Sequence, residues 1–177
     1  MEKNSKTFEE SKVEELKGDI SLGEDEHKNL DQALRSYLKA ADKDPDNVPL
    51  LIKIGKCQDR KREYEKSAAS YTKVLEKDPK NYNVQFKLGW SLFRAGKVEQ
   101  GLQAMRDGLK NGADSAQNLT KLGEILMREG KDPDLEEAQH YLIRSLDKEP
   151  KSVDTLVCLG RVYEKQGELD MARERYQ

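Results

Sequence analysis

Apolar and polar positions repeat along the chain with a period close to 34 residues. An apolar residue followed by glycine recurs four times, and successive glycines lie 34, 34 and 37 residues apart. These pairs are Ile54-Gly55, Leu88-Gly89, Leu122-Gly123 and Leu159-Gly160. After each of the first three pairs comes a second row of apolar or small residues spaced by three, four and three, such as Tyr64, Ser67, Tyr71 and Val74. Such spacings place side chains on one face of an α-helix, so each period predicts two helices joined by a turn.

Proline marks the end of most of these periods. Asp44-Pro45 and Asp78-Pro79 are 34 residues apart, Ala113 takes the next position, and Glu149-Pro150 follows. Proline disfavours helical backbone at the residue before it, so these positions predict where the second helix of each pair ends.

The pattern resembles the tetratricopeptide repeat (TPR), a helix–turn–helix of about 34 residues. The resemblance covers about 165 residues and implies an all-α fold, a right-handed α-solenoid of about five repeats. The implied repeats are 11–47, 48–81, 82–115, 116–152 and an incomplete 153–177. In the first repeat the register of the first helix is ambiguous by one residue, because Lys17 separates Leu16 from Gly18.

The two ends and two long turns depart from the repeat. Residues 1–10 predict a charged, disordered tail. The last repeat stops in mid-helix at Gln177, so we expect the N-terminal piece of a longer repeat protein whose open C-terminal face can self-associate. Residues 23–27 and 130–134 predict polar turns that make the first and fourth repeats about three residues longer than the 34-residue period. The repeat pattern predicts no function for these two turns.

Composition excludes several classes of protein. Charged residues make up 37% of the chain, mean hydropathy is −0.96, and no apolar run is long enough to span a membrane. The sequence therefore predicts a cytoplasmic protein without membrane contact, with the nucleus as the alternative compartment. A net charge of −2 argues against nucleic-acid binding. Residues 48–115 form the one segment with a net positive charge, with 14 basic and 8 acidic side chains.

No pattern of catalytic or metal-ligating residues emerges. The two histidines, His27 and His140, lie in different repeats, and Cys57 and Cys158 are isolated thiols. Gly89 and Gly96-Lys97 lack the spacing of a phosphate-binding loop, and residues 42–47 lack the glutamate that completes a calcium loop. We therefore expect no enzymatic activity, cofactor or metal.

The resemblance to TPR proteins implies that the first helices line a concave groove. Phe86, Trp90 and Phe93 share one helical face, although such aromatic residues can instead pack between neighbouring helices. Lys53, Lys87 and Lys121 recur at one position of successive repeats. The predicted partner-binding residues are Lys53, Lys56, Phe86, Lys87, Trp90, Phe93, Arg94, Lys121, Met127 and Arg128.

These residues predict a non-catalytic scaffold that binds a protein segment, acidic with an apolar anchor. The carboxylate clamp of chaperone-binding TPR proteins is disfavoured, because its residues do not fit from the first, second or third repeat. From the second repeat, its five positions hold Ile52, Lys56, Lys87, Gln117 and Lys121. Two alternatives remain open. The chain could be the recognition arm of an enzyme whose catalytic domain follows residue 177, or a structural subunit of a large assembly.

Overall fold

The computed structural model describes residues 2–24, 29–129 and 132–177. These residues form ten α-helices and no strand, which confirms the predicted all-α fold class. The helices are α1 (Glu2–Glu24), α2 (Leu30–Lys43), α3 (Val48–Arg60), α4 (Tyr64–Lys77), α5 (Tyr82–Arg94), α6 (Val98–Asn111), α7 (Ala116–Glu129), α8 (Asp132–Lys148), α9 (Val153–Gln166) and α10 (Leu169–Tyr176). Parts of the two predicted long turns, 25–27 and 130–131, lie outside the described residues.

The helices pack as antiparallel neighbours within two compact units, residues 1–104 and 105–177. In the first unit, α1 pairs with α2 and α3 pairs with α4, while α2 packs on α3 and α4 packs on α5. In the second unit, α7 pairs with α8 and α9 with α10, while α9 also contacts α7 and α8. Each unit is therefore a stack of helical hairpins, as the 34-residue period predicts. No helix in the described part of the chain combines the length and apolar character needed to cross a membrane.

The turns between hairpins in the first unit repeat one hydrogen-bonding pattern. The Asn47 side chain accepts a hydrogen bond from the Leu50 amide (3.0 Å) and donates one to Asp44 (3.0 Å). Asn81 does the same with the Val84 amide (3.3 Å) and Asp78 (3.0 Å). An asparagine at the helix N-cap satisfies an amide that has no partner inside the helix. The proline turn thus ends one helix and starts the next.

A glycine on the first helix of a hairpin lets the ring of a tyrosine on the second helix pack against its backbone. A Cβ atom on Gly55 would lie 2.5 Å from the Tyr71 ring, and the rings of Tyr37 and Tyr176 approach Gly18 and Gly160 in the same way. Gly18 is therefore equivalent to Gly55. This contact resolves the ambiguous register of the first repeat and places Lys17 at the usual apolar position.

Residues 2–10 are helical, which differs from the disordered tail predicted from the sequence. They form the first turns of α1, which is anchored to α2. The Ser11 hydroxyl donates a hydrogen bond to the Ala40 carbonyl (3.0 Å), and Lys43 forms an ion pair with Glu10 (2.7 Å). These contacts join positions about 30 residues apart, so local sequence pattern does not reveal them.

Candidate binding surface

Lys53, the first predicted binding lysine, is already held in an ion pair by α1. Its ammonium group lies 2.8 Å from Glu15 Oε1 and 2.7 Å from Asp19 Oδ2. The Tyr37 hydroxyl donates a further hydrogen bond to Asp19 (2.7 Å). Glu15 is buried and Lys53 is half-buried, so this cluster joins the first two hairpins. Glu15 and Asp19 thus balance the positive charge of Lys53, which the sequence analysis predicted would bind an acidic partner.

Hydrogen bonding sets the protonation of this cluster. The hydrogen bond from Lys53 lowers the pKa of Glu15 in spite of its burial. Burial opposes ionisation of Asp19, but hydrogen bonds from Lys53 and Tyr37 outweigh it and lower its pKa as well. Burial likewise opposes the charge on Lys53, but hydrogen bonds to Asp19 and Glu15 raise its pKa. All three groups are therefore charged at neutral pH.

The cluster predicts a loss of stability in acid. Carboxylates whose pKa is lowered by folding stabilise the fold above the pKa that they have in the unfolded chain, about 4. This stability is lost as the pH falls through the lower pKa of the folded state. Lys53→Met should cost about 1 to 2 kcal/mol at pH 7, because it leaves two carboxylates without their hydrogen-bonded cation. In urea titrations, the difference between wild type and variant should shrink from pH 6 to pH 3. A constant difference would contradict this role.

The next pair of repeats places two lysines where the first pair has an aspartate and a lysine. With Gly18, Gly55 and Gly89 as equivalent points, Lys56 occupies the position of Asp19, and Lys87 occupies that of Lys53. Ile52 takes the place of Glu15, so no carboxylate faces Lys87 from these two positions. Burial and the neighbouring charge of Lys56 lower the pKa of Lys87, and Asp59 offsets this only in part. Neither ammonium group has an ion pair or hydrogen bond within the part of the chain described above.

Aromatic side chains on α5 lie next to Lys87. The rings of Trp90 and Phe93 stack, with centroids 6.1 Å apart and planes 26° apart. The Arg94 guanidinium carbon lies 5.2 Å from the Trp90 ring and 4.8 Å from the ring of Tyr64 on α4. Lys87, Trp90 and Arg94 are spaced by three and four residues and so share one face of α5. We call Lys56, Lys87, Trp90 and Arg94 the basic–aromatic surface.

Two predicted site residues are not available to a partner in this structure. Phe86 is only 4% exposed and Met127 only 3% exposed. Phe86 therefore follows the alternative interpretation of the aromatic stripe, packing between helices. The sequence analysis did not predict a role for Tyr64, whose ring contacts the Arg94 guanidinium. The spacing of Tyr64 placed it instead in the apolar stripe of α4.

In the second unit, the predicted basic residues lie beside an acidic one. Glu124 accepts from both Lys121 (3.3 Å) and Arg128 (3.3 Å). Lys121 and Glu124 line a groove of about 670 Å³ between α7 and α9, together with Asp154, Cys158 and Arg161. This groove carries both signs of charge, unlike the basic–aromatic surface of the first unit.

The described residues do not form a metal or thiol centre. In residues 2–24, 29–129 and 132–177, no group of three or more His, Cys, Asp and Glu side chains is placed to hold a metal ion. Cys57 and Cys158 are buried, and burial raises the pKa of both thiols. Both therefore remain protonated at neutral pH and pack as small apolar side chains.

Comparison with known proteins gives a family and a fold. A family model described as tetratricopeptide repeat matches residues 24–82 and 86–134. The crystal structure of MamA protein is similar, with 21% identity over 95% of this chain and 88% of that chain, and a TM-score of 0.79. PilF of Pseudomonas aeruginosa has 18% identity over 93% of this chain and 74% of its own, with a TM-score of 0.76. YrrB, described as a TPR protein with an unusual peptide-binding site, has 20% identity over 82% and 74% of the two chains, and a TM-score of 0.65. No curated protein sequence matches significantly.

Proposed function

Because the chain belongs to the tetratricopeptide-repeat family, we propose that it is a non-catalytic scaffold that binds an acidic protein segment on its basic–aromatic surface. One observation carries this proposal. Lys56 and Lys87 occupy positions that form an aspartate–lysine ion pair in the preceding repeats, yet here both are lysines. The exposed Lys56 and the half-buried Lys87 repel each other as cations, and a carboxylate from a partner removes that repulsion.

Trp90 supplies an apolar anchor point next to the lysine pair. It is half-exposed, and its ring stacks on Phe93 and lies beside Arg94. Large aromatic side chains and arginines carry much of the binding energy at protein interfaces. On α5, Trp90 lies between Lys87 and Arg94, so the best ligand has an apolar residue with acidic residues on both sides. Peptide binding by the structurally similar YrrB supports a segment rather than a small molecule as the ligand.

The proposed site is smaller than the groove predicted from the sequence. Lys53 forms ion pairs with Glu15 and Asp19, and Phe86 is buried. Lys121 and Arg128 belong to the second unit, where they lie beside Glu124. The proposal therefore rests on Lys56, Lys87, Trp90, Phe93 and Arg94, all in the first unit.

The test is a binding titration with two synthetic peptides. One carries a single leucine flanked on both sides by glutamates, and the other has lysine in place of every glutamate. Fluorescence anisotropy should give a dissociation constant of about 1 to 100 μM for the acidic peptide. Its affinity should fall as salt is added, because the Debye length shrinks from about 10 Å at 0.1 M to about 3 Å at 1 M. The basic peptide should not bind.

Trp90→Ala should weaken binding of the acidic peptide about 30-fold, equivalent to about 2 kcal/mol, because it removes the apolar anchor. Phe8→Ala is the matched control, since Phe8 is an exposed aromatic residue on α1. It should leave the affinity unchanged. Equal binding of the acidic and basic peptides, or wild-type affinity in Trp90→Ala, would overturn the proposed function.

A further inference from the structure

The second helices α2 and α4 of the first unit form the walls of a groove of about 540 Å³, which we call the α2–α4 groove. Leu38 and Ala41 line the α2 wall one helical turn apart, and Leu38 is 43% exposed. Leu51 and Ile54 of α3 form the floor and are 6% and 3% exposed. The groove therefore leads from an exposed leucine to the apolar interior of the unit. The basic–aromatic surface, by contrast, belongs to the first helices α3 and α5.

The α4 wall of the groove is basic. Lys66 and Lys73 line this wall and are both exposed, with Ala69 and Ser70 between them. Lys66 lies 3.0 Å from Glu63, whereas Lys73 has no ion pair within the part of the chain that the structure describes. The two lysines are seven residues apart, which corresponds to about 10 Å along the helix. An acidic partner can therefore meet two ammonium groups along one line.

Ion pairs join α2 and α4 beyond both ends of the groove. Before it, Lys61 in the turn that leads into α4 lies 2.6 Å from Asp31 of α2. After it, Lys77 of α4 pairs with Asp46 in the turn that follows α2. The two walls are thus held together at both ends. The open space between them comes from the side chains in the middle and not from helices that splay apart.

The equivalent space in the second unit is bridged by an ion pair. Aligning the apolar rows of the second helices makes Arg106 of α6 equivalent to Leu38, and Glu137 of α8 equivalent to Lys66. The Arg106 guanidinium donates two hydrogen bonds to the Glu137 carboxylate, of 2.8 and 2.6 Å. Leucine and lysine at the same two positions cannot make this bridge, so the groove of the first unit stays open.

Larger side chains add to the filling in the second unit. Tyr141 stands where the first unit has Ser70, and its hydroxyl donates a hydrogen bond to Glu137. Leu109, which is only 3% exposed, stands where the first unit has Ala41. The same arrangement of helices therefore excludes a ligand in the second unit and offers it space in the first.

We propose that the α2–α4 groove binds an amphipathic helix of a partner protein, with acidic residues along one edge of its apolar face. The apolar face packs on Leu38 and on the floor of the groove, and acidic residues seven positions apart meet Lys66 and Lys73. Asp42 lines the α2 wall and repels acidic side chains there, so the acidic edge faces α4. Apolar packing supplies affinity in such helix-in-groove contacts, and charge fixes the direction of the ligand. This site is separate from the basic–aromatic surface and does not depend on it.

Fluorescence anisotropy with a labelled helical peptide tests the proposal. The peptide has leucines spaced by four and three residues and, on the edge beside them, two glutamates seven residues apart. In the control peptide, lysines replace both glutamates. The acidic peptide should bind with a dissociation constant of about 10 to 100 μM, and the lysine peptide should not bind. Lys73→Glu should weaken binding at least about 10-fold. Lys39→Glu changes an exposed lysine of α2 that does not line the groove and should leave the affinity unchanged.

A double variant, Leu38→Arg with Lys66→Glu, closes the groove in the way that the second unit does. It should form the ion pair that Arg106 makes with Glu137, so the affinity for the acidic helical peptide should fall at least about 30-fold. Circular dichroism should show wild-type helicity for this variant. Lys73→Glu, at an exposed position, keeps the test valid if the double variant is less stable.

Trp90→Ala tells the two binding surfaces apart. It should bind the acidic helical peptide like the wild type, and Lys73→Glu should bind the leucine–glutamate peptide like the wild type. Loss of the helical peptide in Trp90→Ala would show that this peptide uses the basic–aromatic surface, and would overturn the proposal. Wild-type affinity in Lys73→Glu, equal binding of the acidic and lysine helical peptides, or no binding to the wild type would do the same.

Discussion

Gly101→Ala should lower the free energy of unfolding by about 3 kcal/mol, at the upper end of what overpacking a protein interior costs. A Cβ atom at Gly101 would lie 2.5 Å from the Phe93 amide nitrogen and 2.7 Å from the Gly89 carbonyl oxygen. Both are backbone atoms of α5, so no side-chain rotation relieves the clash. For a chain of this length, the melting temperature should fall by about 6 to 12 °C.

Gly96→Ala provides the matched control for this prediction. Gly96 has a φ of 85°, which strains any other residue, but a Cβ atom there would contact nothing within 4 Å. This change should cost about 1 kcal/mol, from backbone strain alone. Urea titrations of both variants compare the two costs directly. If Gly101→Ala costs no more than Gly96→Ala, α5 and α6 are not as close as the structure places them.

The helical hairpins could be predicted because their signals are local and repeat along the chain. Ile54-Gly55 and Leu88-Gly89 mark the first helices, and Pro45 and Pro79 mark the ends of second helices. Each signal depends on residues within one or two turns of helix. Its recurrence after 34 residues fixes the register wherever the pattern is complete.

The binding site was less predictable because its chemistry depends on pairs of residues far apart in sequence. Lys53 and Lys87 occupy the same repeat position, but only Lys53 meets carboxylates, from residues 34 and 38 positions earlier. Those carboxylates belong to α1, the one helix whose register the sequence left ambiguous. Once Gly18 is aligned with Gly55, Asp19 falls opposite Lys53 and Lys56 falls opposite Lys87. The repeat pattern contained this signal, but reading it required the register that the packing of Tyr37 supplies.

The pairing of Asp19 with Lys53 leads to a second prediction, in which one substitution raises stability and removes binding. Lys56→Asp should reproduce at Lys87 the ion pair that Asp19 makes with Lys53. It replaces repulsion by attraction between an exposed side chain and the half-buried Lys87, so stability should rise by about 1 kcal/mol and the melting temperature by about 2 to 4 °C. The same carboxylate occupies Lys87 and repels an acidic ligand. Affinity for the leucine–glutamate peptide should therefore fall at least about 30-fold, or about 2 kcal/mol.

Lys80→Asp makes the same change of charge at an exposed turn and separates a local effect from a general one. If net charge alone governs binding, both variants lose affinity equally. If the lysine pair is the anion site, Lys80→Asp binds with affinity close to that of the wild type while Lys56→Asp does not. Thermal melting adds an independent criterion, since damage to the fold lowers the melting temperature. A Lys56→Asp variant that melts below the wild type would show that Lys56 and Lys87 do not face each other as Asp19 and Lys53 do. The opposite signs of the two effects, higher stability with lost binding, follow only from a lysine pair that lacks its counter-ion.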